Sequence, residues 1–241
     1  MSNETVVFVS DAHFGLPIDA LERNRRARFL RFLDSLHGVD RLIVAGDLFQ
    51  FWFDLGSTIP KGYFDILEGL FRLRRSGTRV DYLGGNHDFW RSDFLQRELG
   101  IDTHADSLQL QTQGRHILVV HGDGVGPGDL GYKLLKRLLR STATVAIARL
   151  LHPDALYSLA RRMDRMSQAH TSGHALARQR LDAAARDAFT RGFDALVMGH
   201  VHTQLHERLQ GGELVVIGDW LELFSYVRLE AGVFRPGRWE D

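Results

Sequence analysis

The sequence predicts a mixed α/β protein, on three observations. Short apolar, β-branched runs recur and each ends in glycine or a polar residue: TVVFVS (5–10), RLIVAG (41–46), RVDYLG (79–84), HILVV (116–120), ALVMG (195–199) and ELVVIG (213–218). Their length and bounding residues read as buried strands. Between the first three lie helical patterns, around 20–36 and 60–76, with leucine and phenylalanine at helical spacing. Strand–helix–strand alternation implies a partly parallel sheet covered by helices. The third observation is LQLQTQGRHILVV (108–120), which alternates about a Gln-Gly turn and predicts a hairpin.

The composition narrows the function classes. The chain has 241 residues, 44% hydrophobic and 25% charged, the profile of one sizeable globular domain spanning 1–241. Lys+Arg and Asp+Glu balance at 30 each, so no global charge argues for nucleic acid. Without cysteine there is no disulfide framework, and any metal must be held by oxygen and imidazole. The opening MSNETVVFVSDAHFG has no basic start and no long apolar run, so no secretory leader is expected. No apolar stretch approaches the length of about 18 residues that a membrane span requires. A cytoplasmic protein is expected.

One segment departs from the alternation. From 124 to 190 the strands stop and the pattern turns helical, opening with GVGPGDLGY and divided by Pro153. Between Gly124 and Met166 eight basic residues stand against Asp129, Asp154 and Asp164 only, beside a leucine-rich apolar face. Such a basic amphipathic insertion can lie on an anionic membrane surface or cap an acyl chain. An ordinary helical subdomain with a solvated basic face is the plainer alternative. Nucleic acid fits less well, since Tyr132 and Tyr157 are the only aromatic residues there and leucine dominates.

The chemistry gathers where the strands end. After 5–10 come Asp11 and His13; after 41–46, Asp47; after 79–84, Asn86, His87 and Asp88; after 116–120, His121 and Asp123; after 195–199, His200 and His202. Ligands of open α/β sheets bind at that carboxyl edge. Loop capping explains one or two such residues but not five strand ends sharing one ligand chemistry. Carboxylate, amide and imidazole in this number suit two ions sharing a bridging carboxylate. Mn²⁺, Fe²⁺, Zn²⁺ or Co²⁺ match mixed nitrogen and oxygen donors better than Ca²⁺. A pair of such ions suits in-line phosphoryl displacement.

Asp-x-His, Gly-Asp, Gly-Asn-His-Asp, His-Gly and Gly-His-x-His, in this order from residue 11 to 202, resemble the calcineurin-like metallophosphoesterase superfamily. The resemblance implies a four-layer α-β-β-α sandwich with a dinuclear site on the sheet edge. It implies Asp11, His13 and His202 at the first metal, Asn86, His121 and His200 at the second, and Asp47 bridging. His87 would then sit by the scissile phosphate, and Asp88 would either orient His87 or cap a helix beginning near Arg91. FQFWF (49–53) reads as buried packing or as a base-stacking platform, and Asp54 is a candidate to face the site. His206 is expected to be solvated.

HGDGVGPGDLGYKLLKRLL, the later RRMDRMSQAH and VVIGDW further resemble the UDP-2,3-diacylglucosamine diphosphatases of bacterial lipid A synthesis. That resemblance implies a nucleotide-linked glycolipid substrate and UMP as a product. It also implies Mn²⁺ as the ion, a helical cap within 124–190, and peripheral contact with the inner membrane. Substrate contacts would come from Asn86, His87, His200, Asp129, Tyr132 and Ser167, with Arg161, Arg162 and Arg165 near phosphate or headgroup. One departure stands out: in the best-known branch arginine follows Gly-Asn, whereas here it is His87. Histidine can donate a proton where arginine is a fixed cation. The change fits a divergent branch with the same substrate or a phosphoesterase acting on soluble nucleotides or proteins. A noncatalytic scaffold on the same fold would not need the full ligand set.

Overall fold

In the computed structural model the described residues are 4–54, 58–89, 93–124, 138, 141–148, 150–158, 162 and 174–240. Two sheets pack face to face, with helices on both outer faces. The first has the strand order β11-β10-β1-β2-β3-β4, comprising β1 (Val6–Val9), β2 (Arg41–Val44), β3 (Arg79–Leu83), β4 (Asp102–His104), β10 (Ser225–Glu230) and β11 (Val233–Arg238). The second has the order β5-β6-β7-β9-β8, comprising β5 (Ser107–Thr112), β6 (Arg115–Val120), β7 (Ala195–Met198), β8 (Leu205–Leu209) and β9 (Gly212–Val216). β1 to β4 run parallel, as do β6, β7 and β9, so their carboxyl ends share one edge of the sandwich.

The layering follows from which side chains each strand turns each way. Val7 and Val9 of β1, with Leu42 and Val44 of β2, face outward beneath α1 (Ala20–Ser35) and α2 (Phe64–Arg75), against Phe29, Phe32, Leu33, Ile66 and Leu70. Their alternates Val6, Phe8 and Ile43 face inward and meet Leu110, Ile117, Val119, Val197 and Val215 of the second sheet. A strand covered on both sides reads as a continuous apolar run, which is why VVFV and ALVM carry no polar alternation. α1 starts where Asp19 accepts a hydrogen bond from the Glu22 backbone N–H at 2.8 Å.

The expected hairpin is present. Gln113 and Gly114 both have positive φ, 52° and 74°, the backbone that a two-residue hairpin turn requires. β4, β8, β10 and β11 were not legible as strands. β8 (LHERL) and β11 (VFRPGR) lie at sheet edges with exposed, charged alternate positions and no long apolar run. α3 (Asp93–Arg97) precedes β4.

The expected cap, 124–190, is only partly described. α4 (Thr142–Ala148) and a helical stretch at 153–158 are present, the latter beginning at Pro153. The last part of the segment is corrected. α5 (His174–Thr190) is no cap element, because Leu181, Ala185 and Ala188 bury one face against Leu118, Leu196, Met198, Leu214 and Val216. It is the fourth layer of the sandwich. Among the described residues no helix is long and apolar enough to cross a membrane.

Ile43 is fully buried between the sheets. Ile43→Ala should lower unfolding stability by about 2–5 kcal/mol, read as a shifted urea midpoint at unchanged slope. An unchanged midpoint would mean that the inter-sheet core is not packed as described.

Candidate metal centre

Five loops meet at the shared carboxyl edge, and the first two continue the parallel ladder beyond the strands. The N–H of Asp11 donates to Gly46 O at 3.1 Å, that of His13 to Asp47 O at 2.9 Å, and that of Phe14 to Leu48 O at 2.9 Å. This zipped pair of loops carries Asp11, His13 and Asp47. Their backbones are left-handed, with φ of 55°, 46° and 53°; His200 (70°) and His202 (49°) share that conformation. Left-handed non-glycine residues cost free energy and persist only where surrounding structure holds them. Here they aim five side chains at one point.

Two glycines leave room for the carboxylates. An ideal Cβ on Gly85 would lie 2.0 Å from Asp47 Oδ1, and one on Gly199 would lie 1.9 Å from Ser10 Oγ and 2.5 Å from Asp11 Oδ2. No side chain fits at either position.

The polar atoms form three overlapping groups, each with ligand atoms within 4.8 Å of one another: Asp11, His13 and His202; His13, Asp47 and His87; Asp47, His121 and His200. Asp47 is common to two groups, and its Oδ2 lies 3.7 Å from His13 Nε2 and 3.2 Å from His121 Nε2. Its other oxygen accepts from the His87 N–H at 2.9 Å. Asn86 Oδ1 is 3.1 Å from His121 Nε2, which places the amide with the third group. The His121 Nδ1 faces Ala45 O at 2.9 Å, so the protonated nitrogen points at the carbonyl and Nε2 points into the site. Asp11 Oδ2 accepts from Ser10 Oγ and from the His200 N–H, and Oδ1 is turned inward, 3.4 Å from His202 Nε2.

The donor set fits divalent cations. Asp11 Oδ1 and His13 Nε2 are buried polar atoms with no hydrogen-bond partner, a costly arrangement unless something else satisfies them. Burial by itself would raise the Asp11 carboxyl, but His13 and His202 hold it well below the usual range; Asp47 is held low against burial by His121. Burial would likewise depress His121, yet Asp47 drives it up to about 10, and His13 is raised in the same way by Asp11 and Asp47. His200 is lowered by burial and by the neighbouring His121. The imidazoles of His121 and His13 and the two buried carboxylates thus favour each other's charged forms.

Asp88 requires a correction. It is fully buried, and Oδ1 accepts from the N–H groups of Asp47 (3.1 Å) and Gly85 (2.8 Å). Oδ2 accepts from the Phe49 N–H at 3.2 Å and from the Tyr82 hydroxyl. With both oxygens engaged, Asp88 pins the Asp47 and Asn86 loops together rather than holding the His87 ring; residues 90–92, where the helix near Arg91 is expected to begin, lie outside the described residues. The His87 Nδ1 instead lies 3.3 Å from both Gln50 O and Gln50 Nε2. Asp54 accepts from the Phe94 N–H at 2.9 Å in the first turn of α3, so it serves that helix. His206 is paired with Glu213 at 2.8 Å. Asp129, Tyr132, Ser167, Arg161 and Arg165 lie outside the described residues, and Arg162 is exposed. Gln50, Ser10 and Tyr82 were missed, since a lone glutamine, serine or tyrosine beside a motif carries no spacing signal.

A metal ion must displace the His121 proton, so binding should release protons and tighten as pH rises towards the His121 value of about 10. Calorimetry of Mn²⁺ binding in buffers of different ionisation enthalpy counts the protons. A pH-independent affinity would contradict the pairing described here. Gly199→Ala should abolish metal uptake while leaving the far-UV circular dichroism unchanged, because the added methyl displaces Ser10 and Asp11. Normal metal stoichiometry in that variant would show that the close approach is not required.

The model of one family, Calcineurin-like phosphoesterase, matches residues 4–204. The chain is 30% identical to the UDP-2,3-diacylglucosamine hydrolase of Stenotrophomonas maltophilia (strain K279a), across 95% of this chain and 96% of that one. It is 25% identical to the enzyme of the same name from Porphyromonas gingivalis (strain ATCC BAA-308 / W83), across 92% of each. In fold it is similar to an archaeal phosphodiesterase with a TM-score of 0.50, at 13% identity, over 97% of this chain and 98% of that one. With this matched span and these strand-end clusters, the chain belongs to the calcineurin-like phosphoesterase family and is a phosphoester-hydrolysing enzyme.

Proposed function

We propose that the protein hydrolyses the pyrophosphate of UDP-2,3-diacylglucosamine, giving UMP and 2,3-diacylglucosamine 1-phosphate. The observation that carries this reading is full-length similarity to hydrolases of that name, at 30% identity over nearly the whole of both chains. The basic, leucine-rich insertion supports it. Ile147 is 62% and Leu150 86% exposed, an apolar face suited to acyl chains or to a bilayer surface. On this reading the protein works in the cytoplasm, in peripheral contact with the inner membrane.

Family membership implies divalent metal ions, which would activate water and neutralise phosphoryl charge. Asp11, His13 and His202 would hold one ion and Asn86, His121 and His200 the other, with Asp47 between them. Mn²⁺ is our choice of ion. His87, its ring centroid 4.8 Å from that of His13, would hold the phosphoryl oxygens and give a proton to the departing oxygen. Gln50 fixes the face that His87 presents. Hydrolysis on this scheme breaks one P–O bond of the anhydride, with the water oxygen retained on the attacked phosphorus. Asp129, Tyr132 and Ser167 remain proposed substrate contacts by resemblance, together with Asn86 and His200.

The presence of His87 where arginine occurs in the best-known branch favours a second reading, a broader phosphodiesterase on soluble phosphoesters.

The deciding assay is UMP release from UDP-2,3-diacylglucosamine with and without Mn²⁺, beside a generic aryl phosphodiester. Release that is manganese-dependent and far exceeds the generic activity is expected. Turnover of the generic ester alone would transfer the conclusion to the second reading. Asp47→Ala should lose both metal and nearly all activity, whereas His87→Ala should keep metal and lose about 10²–10⁴-fold in turnover. Full activity in Asp47→Ala would sink the ligand assignment.

A further inference from the structure

The aromatic run 49–53 is divided by its backbone. Phe49, Trp52 and Phe53 are buried, with Phe49 and Trp52 stacked at 5.1 Å under the metal loops. The chain bends at 50–51, and Gln50 and Phe51 are left half-buried at the site. Phe51 has its ring centroid 6.0 Å from that of His87 and 6.0 Å from that of Tyr157, at 90° to the latter. Tyr157 comes from the helical stretch 153–158 of the insertion. Its hydroxyl accepts from the Leu16 N–H at 3.1 Å, three residues beyond His13. One core loop and one insertion helix thus make an aromatic corner beside the histidine assigned to the phosphate.

We infer that Phe51 and Tyr157 form the nucleobase subsite, with the base stacking on Phe51 while the phosphate lies at His87; this rests on the nucleotide-linked substrate proposed above. A nucleoside 5′-phosphate carries its base one sugar away from phosphorus, and Phe51 stands one ring beyond His87. The aliphatic part of the substrate has other surfaces, since Ile147, Leu150 and Leu151 are exposed apolar residues of the insertion. A flat ring at the phosphate histidine is of more use to a flat ligand, and every base offers a π-face. Phe51 is then a specificity residue that senses what is attached to the phosphate, without touching the reacting atoms.

Calorimetry on the metal-loaded protein tests this with two probes, UMP and ribose 5-phosphate, which share the phosphate and sugar and differ in the base. Wild type should bind UMP more tightly, and Phe51→Ala should weaken UMP about tenfold while ribose 5-phosphate changes less than about twofold, the scale of one base–aromatic stack. Phe51→Leu, which keeps apolar bulk, should behave like Phe51→Ala, and Phe51→Trp should retain UMP. Equal wild-type affinity for both probes would overturn the inference. So would parallel loss of both in Phe51→Ala, which would make the ring merely structural, or wild-type UMP affinity in Phe51→Leu, which an aliphatic occupant would produce. The readout needs no glycolipid turnover. Selective UMP loss in an enzyme that does not hydrolyse UDP-2,3-diacylglucosamine would keep the subsite and remove only the lipid reading.

Discussion

Two carboxylates buried at the end of a parallel sheet set the terms for everything around them. Asp11 and Asp47 are almost wholly removed from water, where an isolated anion is expensive. The surrounding structure answers that cost with backbone N–H groups from His87 and His200, with the Ser10 hydroxyl, and with five imidazoles drawn from four different loops. Divalent ions held here would bring positive charge to the same two carboxylates. Asp47 in turn drives the His121 imidazole up to about 10.

The fold meets this demand through strand direction. Parallel strands end together, so loops remote in sequence converge without long excursions. Strain then does the fine aiming. Five of the converging residues adopt a backbone that non-glycine side chains avoid, and the zipped loops together with the Asp88 clamp keep them there. Asp88, with four donors on two oxygens and its carboxyl raised by burial and by Asp47, is best understood as part of the scaffold under the site.

Much of this was legible in the sequence. Strands buried on both faces announce themselves as continuous apolar runs, and metal-ligating residue types at five strand ends are hard to produce by chance. Strand ends and ligand candidates therefore emerged together. The edge strands β8 and β11 did not, because one-sided burial with arginine and proline resembles loop. The fate of Asp88 was also hidden, since its partners are backbone N–H groups and a tyrosine six residues away, which no motif encodes. α5 was misassigned to the insertion because its amphipathic pattern says that it covers something, without saying what. Phe51 and its neighbours look alike in sequence, and only the bend at 50–51 separates the buried rings from the one beside His87.

Two of the three candidate ion groups take ligands from both sheets. Asp11 and His13 follow β1 and Asp47 follows β2, all in the first sheet, while His121 follows β6 and both His200 and His202 follow β7, in the second. The spacing between the ligands is therefore a measure of how one sheet sits over the other, and the layer of Val, Ile and Leu between them acts as the gauge block of the instrument. An apolar substitution far from any histidine, if it lets the sheets slide, would change the spacing of all these candidate ligands at once. Tolerance to mutation should accordingly be narrower in that inner layer than beneath α1 or α5, where a helix can shift without moving a ligand.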